Sequence, residues 1–69
     1  MKKNLYLIKL VGEPTPVPIL ADGYTINPAS GILMVYDVIL SRETESHISI
    51  LSAAHGHWAH IRLVDVRDV

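Results

Sequence analysis

The stretch Ile32–Leu40, ILMVYDVIL, limits the fold more than any other part of the chain. Eight of its nine residues are apolar or aromatic, and Asp37 sits alone near its middle. Its β-branched and aromatic side chains favour extended backbone. It is also far short of the ~20 residues that cross a bilayer. A strand apolar on both alternating faces must be covered on both, or offer one face to a partner. Its two sets are Ile32, Met34, Tyr36, Val38, Leu40 and Leu33, Val35, Asp37, Ile39, Ser41. The first set has no charged member and is expected to face the core. The second is expected to form a contact surface through Leu33, Val35, Asp37 and Ile39, with Asp37 setting specificity.

Covering both faces is hard in a chain of this length. Sixty-nine residues make one small domain, 1–69, and such a domain buries only about 60% of its unfolded surface. Disulfides, metals or oligomerisation usually support folds of this size. With no cysteine, disulfides and thiolate metal sites both drop out, which fits a reducing compartment. Apolar residues make up 49% against 19% charged, more than a thin fold can bury. Self-association, or a protein partner covering one face, resolves the surplus. A homo-oligomer is therefore expected.

Asn4–Val11, NLYLIKLV, shares the two-faced character, with Tyr6, Ile8 and Leu10 on one side and Leu5, Leu7, Lys9 and Val11 on the other. The following Gly12–Pro18 holds prolines at 14, 16 and 18, which remove ladder donors and stiffen a crossover or blunt a sheet edge. Pro18–Ala21 and Tyr24–Asn27 flank Asp22-Gly23, the dipeptide of a type I′ hairpin. Asn27–Gly31 reads as a loop leading into the long strand. Ser41–Ala54 alternates as His47-Ile48-Ser49-Ile50 and is read as a strand after a polar turn at Arg42–Glu45. The alternative is a helix at about 41–55, capped by Ser41 and ended by Gly56. Trp58–Val66 closes the sheet, and its phase shift calls for a bulge near Leu63-Val64.

The N-terminus imitates a signal peptide with two lysines and an apolar run, but Lys9 breaks the run and Gly12-Glu13-Pro14 replaces a cleavage site. A soluble cytoplasmic protein without membrane contact is expected. Net charge is −1, and the six Lys and Arg residues are scattered along the chain. That argues against nucleic acid, which calls for a basic patch.

The histidines are the remaining chemical feature. His47, His55, His57 and His60 include a His-x-His pair, but Ala54-His55-Gly56-His57 reads better as a turn with Gly56 at positive φ. No metal or other cofactor is assigned. No serine sits in a nucleophile elbow, and Glu43 and Glu45 read as a solvated loop, so no catalytic residue is assigned and the protein is not read as an enzyme. Trp58, flanked by His57 and His60 with Arg62 on the same regular-strand face, belongs to the residue types that dominate interfaces.

These readings converge on an all-β fold: a small antiparallel five-stranded meander, curled or partly closed into a barrel, with α+β as the alternative. The function expected is that of a non-catalytic protein-interaction module, a small inhibitor or adaptor of the phage or mobile-element type acting by surface occlusion. Its contact residues are Leu33, Val35, Asp37, Ile39, His57, Trp58, His60 and Arg62. Two further readings are a small-ligand or metal-binding homo-oligomer with its His/Trp site between subunits, and a small-barrel nucleic-acid binder.

Overall fold

The alternating apolar runs form six strands in the computed structural model, which describes residues 1–69. They are β1 (Lys2–Leu10), β2 (Val17–Ala21), β3 (Gly23–Ile26), β4 (Leu33–Ser41), β5 (Thr44–Ala53) and β6 (Trp58–Asp68). Every pairing is antiparallel. The all-β antiparallel expectation holds, and the five-stranded meander is roughly matched by six strands in two three-stranded sheets, ordered β2-β1-β6 and β3-β4-β5, which do not close into a barrel. The chain contains no helix, so Ser41–Ala54 takes the strand reading, and none crosses a membrane as a helix.

The switch between sheets falls at Asp22. β2 pairs with β1 and β3 with β4, so the run Val17–Ile26 passes from one sheet to the other without turning back. This corrects the hairpin expected at Asp22-Gly23. A type I′ turn needs positive φ at both central residues, and only Gly12, Gly31 and Gly56 adopt it here. Strands of five and four residues gain more by each pairing with a nine-residue strand than by pairing with each other. The tight two-residue hairpin is β4–β5, where Ser41 opposes Thr44 across Arg42-Glu43. The turn into β6 follows expectation: Gly56 has φ 86° and the His57 N–H donates to the Ala54 carbonyl at 3.0 Å.

The core lies between the sheets. Tyr6 and Ile8 of β1 and Ala21 of β2 meet Leu33 and Val35 of β4 and Ala53 of β5, with Leu10, Ile19, Leu51, Trp58 and Ile61 packed around them. Tyr6 also meets Tyr24 edge-on, ring centroids 5.3 Å apart, across the gap between sheets. The β4 faces are therefore the reverse of the expectation. Leu33 and Val35 are fully buried, whereas Leu40 is 77% exposed and Met34, Tyr36 and Val38 are half-buried. Asp37 misled the assignment because a charge normally marks the solvent side. Here it lies where β2 leaves for the other sheet, and an ion pair accommodates it.

Three bulges interrupt the ladders, each with its extra residue on an outer strand. Ile50 of β5 falls between the partners of Val35 and Tyr36. In β6, Val64 falls between the partners of Leu5 and Tyr6, the bulge the phase shift called for, and Ala59 between those of Lys9 and Leu10. The two sheets share a core where the start of β4 and the end of β5 meet the middle of β1 and the start of β6. Beyond it the β4–β5 hairpin and the paired ends of β1 and β6 run on as arms. The molecule spans 40 × 28 × 14 Å with a radius of gyration of 12.8 Å, against about 11 Å for a compact chain of this length. Its accessible surface is 4841 Å², where about 4,300 Å² is usual at this mass.

Candidate functional site

Two strands ending side by side leave backbone groups without partners, and Asp22 fills that gap. Gly23 opposes Tyr36, so a longer β3 would have covered Val38 with Ala21. Ala21 belongs to the other sheet, and the Asp22 Oδ2 accepts the Val38 N–H at 2.6 Å instead. The Asp22 N–H in turn reaches the Tyr36 carbonyl at 3.1 Å and the Asp37 Oδ1 at 3.2 Å. Its carbonyl accepts from Asn4 Nδ2 at 3.3 Å, and the same amide lies 2.9 Å from the Tyr6 hydroxyl. Lys3 closes the cluster, with Nζ 2.6 Å from Asp37 Oδ1 and 3.7 Å from Asp22 Oδ2. The hydrogen bond to Asp37 holds the Lys3 ammonium above its ordinary value of 10.5, against an opposing desolvation effect. Asp37, expected at a contact surface, is thus committed within the chain. The cluster stitches β1, β3 and β4 at the seam, and no buried side-chain nitrogen or oxygen lacks a partner. Its chemistry is structural.

The C-terminal polar cluster is divided by the Ala59 bulge. In a regular strand Trp58, His60 and Arg62 would share a face. The register instead sets Trp58 opposite Leu10 on the core side, and His60 and Arg62 opposite Lys9 and Leu7 on the outer side. Trp58 is half-buried, and its Nε1–H donates to the Gly31 carbonyl at 3.1 Å, anchoring the loop before β4. His57, His60 and Arg62 are exposed. The histidines do not converge on one another, and no three His, Asp or Glu side chains group with metal-holding geometry. His47 stacks flat on Tyr36, centroids 4.4 Å apart, and lies 3.3 Å from Glu45 on the hairpin.

Folding does collect cations on the outer face of the β2-β1-β6 sheet, where Lys3, Lys9, Arg62 and Arg67 share a side. Lys3 is held by Asp37, and Arg67 by Asp65 at 2.8 Å. That leaves Lys9 and Arg62 as the cations of this face without a carboxylate within 4.0 Å.

The surface is otherwise marked by apolar side chains. Ile39 and Leu40 of β4 and Ile48 and Ile50 of β5 are exposed on the hairpin arm, as are Leu63, Val64 and Val66 on β6. Open depressions of about 480 Å³, beside Leu10, Leu51 and His57, and about 650 Å³, beside Met1, Val38 and Leu40, flank the core. Of the expected contact residues, Leu33 and Val35 are core, Asp37 belongs to the seam and Trp58 anchors a loop. Ile39, His57, His60 and Arg62 reach solvent. Two features escaped the sequence reading: the role of Lys3 and Asp22, and the free edge of β5. The alternation through Ile48 and Ile50 was the signal for the edge.

No protein-family model, no curated protein and no solved structure matches the chain.

Proposed function

We propose that this protein is a non-catalytic protein-interaction module that acts by covering a surface, in the manner of a small inhibitor or adaptor. The observation that carries the reading is the mismatch between its core and its apolar surface. Six apolar residues are buried, while fourteen large hydrophobic residues stay exposed. Several of these line the two arms as neighbours, and apolar patches of that kind mark binding surfaces in soluble proteins. The excess surface over a compact monomer is roughly 500 Å², more than half of the area, about 800 Å², that one partner of a standard interface buries.

The test compares the wild-type chain with Ile39→Asp in affinity capture from the native host, alongside the oligomeric state of each. Ile39 is 47% exposed, so the substitution spares the core. The wild type should self-associate or retain a protein that the variant loses. A strictly monomeric wild type that retains nothing beyond what Ile39→Asp retains would sink the reading.

A further inference from the structure

We propose that β5 is the edge through which two copies of this chain pair, antiparallel, to join their β3-β4-β5 sheets into one six-stranded sheet. The proposal rests on the interaction-module reading and names its partner as a second copy.

The argument begins with the four sheet edges, β2, β3, β5 and β6. An edge strand presents a row of free N–H and C=O groups, and proteins guard such rows with proline, charge, bulges or brevity. β2 has five residues, contains Pro18, and follows Pro14 and Pro16. β3 has four residues and ends just before Asn27-Pro28. β6 is long but carries Arg62, Asp65, Arg67 and Asp68, and both its bulges interrupt its line. β5 differs from all three, although it carries one bulge of its own at Ile50. It runs ten residues, TESHISILSA, without proline, lysine or arginine, and Glu45 at its start is its one formal charge. Ile48 and Ile50 are exposed along it, and its backbone pairs with β4 alone.

Charge selects a second copy as the occupant. A two-fold axis near Ile48 and Ser49 sets each Glu45 against the uncharged far end of its partner, Leu51 to Ala53. No like charges meet, and Ile48 and Ile50 of both chains crowd the centre. Pairing by a two-fold axis also ends itself. It consumes both β5 edges and leaves only the guarded ones, so the assembly stops at two. The hairpin arm, which nothing covers in the monomer, then gains a neighbour along its full length.

The experiment measures oligomeric state by sedimentation and amide hydrogen exchange on the purified chain, from low micromolar to millimolar. The wild type should dimerise, and with rising concentration protection should grow along Thr44–Ala53. Ile48→Lys and Ile50→Lys place cations at the centre twice over and should weaken dimerisation roughly 100-fold. Val66→Lys on β6 should leave it unchanged. A monomer throughout overturns the proposal, as does protection that grows along Trp58–Asp68 or Val17–Ala21 instead. Lysine variants as dimeric as the wild type overturn it too. The exchange pattern of the wild type decides the matter even if a variant fails to fold. A monomer that still retains another protein at Ile39 overturns the pairing and leaves the interaction module standing; a dimer that retains no other protein supports the pairing.

Discussion

Replacing Asp22 separates the seam from every other source of stability. Its carboxylate accepts the Val38 N–H at 2.6 Å and lies 3.7 Å from the Lys3 ammonium, with 18% of the side chain exposed. A hydrogen bond with a charged partner contributes about 1.5–3 kcal/mol. Asp22→Ala removes that acceptor and leaves the Val38 N–H facing the gap between sheets, so a loss of about 2–3 kcal/mol is expected. Total stability for 69 residues is of the order of 3–10 kcal/mol. The seam is then a large share of it. At about 4–8 °C per kcal/mol for domains of this size, the melting temperature should fall by roughly 8–24 °C. Asp22→Asn keeps an oxygen for Val38 and loses only the charge, so it should fall less than half as far. The assay is thermal denaturation followed by far-ultraviolet circular dichroism, with exchange of the Val38 amide as a local readout. If Asp22→Ala melted with the wild type and Val38 stayed protected, the carboxylate would not be holding the sheets together. Were Asp22 instead the first residue of a tight hairpin turn, asparagine would match or improve on it.

Leu33→Ala should cost about 2–5 kcal/mol and Leu40→Ala less than about 0.5, measured by urea denaturation, because the first empties the core and the second touches solvent. Gly31→Ala should destabilise by about 1–2 kcal/mol or more, since φ is +71° and the new Cβ would lie 2.6 Å from His55 Nδ1; Gly56→Ala, with open space around it, should cost only the backbone term of about 1 kcal/mol. Lys3 gives an alkaline signature. Its value is raised in the fold, so its contribution is fully present below 10.5 and is lost as pH climbs through the higher folded value. The melting temperature of the wild type should therefore drop toward that of Lys3→Met above pH 10.5, and a constant gap between the two would remove the ion pair from the account.

Most of the strands were legible in the sequence because period-2 apolar patterning survives wherever a strand pairs regularly. Asn4–Val11 corresponds to β1, Ile32–Ser41 to β4 and Trp58–Val66 to most of β6, within a few residues. The glycine turn at Ala54–His57 was legible because its conformation needs one residue type. The faces were less so. Charge parity put Asp37 on a water side, and with it Leu33 and Val35, yet Asp37 is matched by Lys3 from 34 positions away in sequence. No local pattern encodes that meeting. The passage at Asp22 was hidden for a similar reason: Asp-Gly serves a hairpin when its flanks have only each other, and here each flank had a longer strand to join.

The contact residues show how a bulge defeats alternation. Trp58, His60 and Arg62 look like one face because alternate residues share a side. Inserting Ala59 into the ladder reverses parity for everything that precedes it, so the tryptophan turns inward to Gly31 while the histidine and arginine stay out. A second insertion at Val64 reverses parity again, which lets Asp65 share the outer side with Arg62 although two residues, Leu63 and Val64, lie between them. Both faults lie on β6, and none lies on β1 or β4, the central strands whose pairing on two sides holds their phase. An outer strand has one neighbour and can absorb an extra residue on its open flank. On β6 that freedom produces an irregular, charged edge. On β5 it produces one fault at Ile50 and leaves Thr44–Ser49 regular and uncharged but for Glu45. The difference between those two edges, more than any cluster of polar residues, distinguishes where this fold ends from where it can be continued.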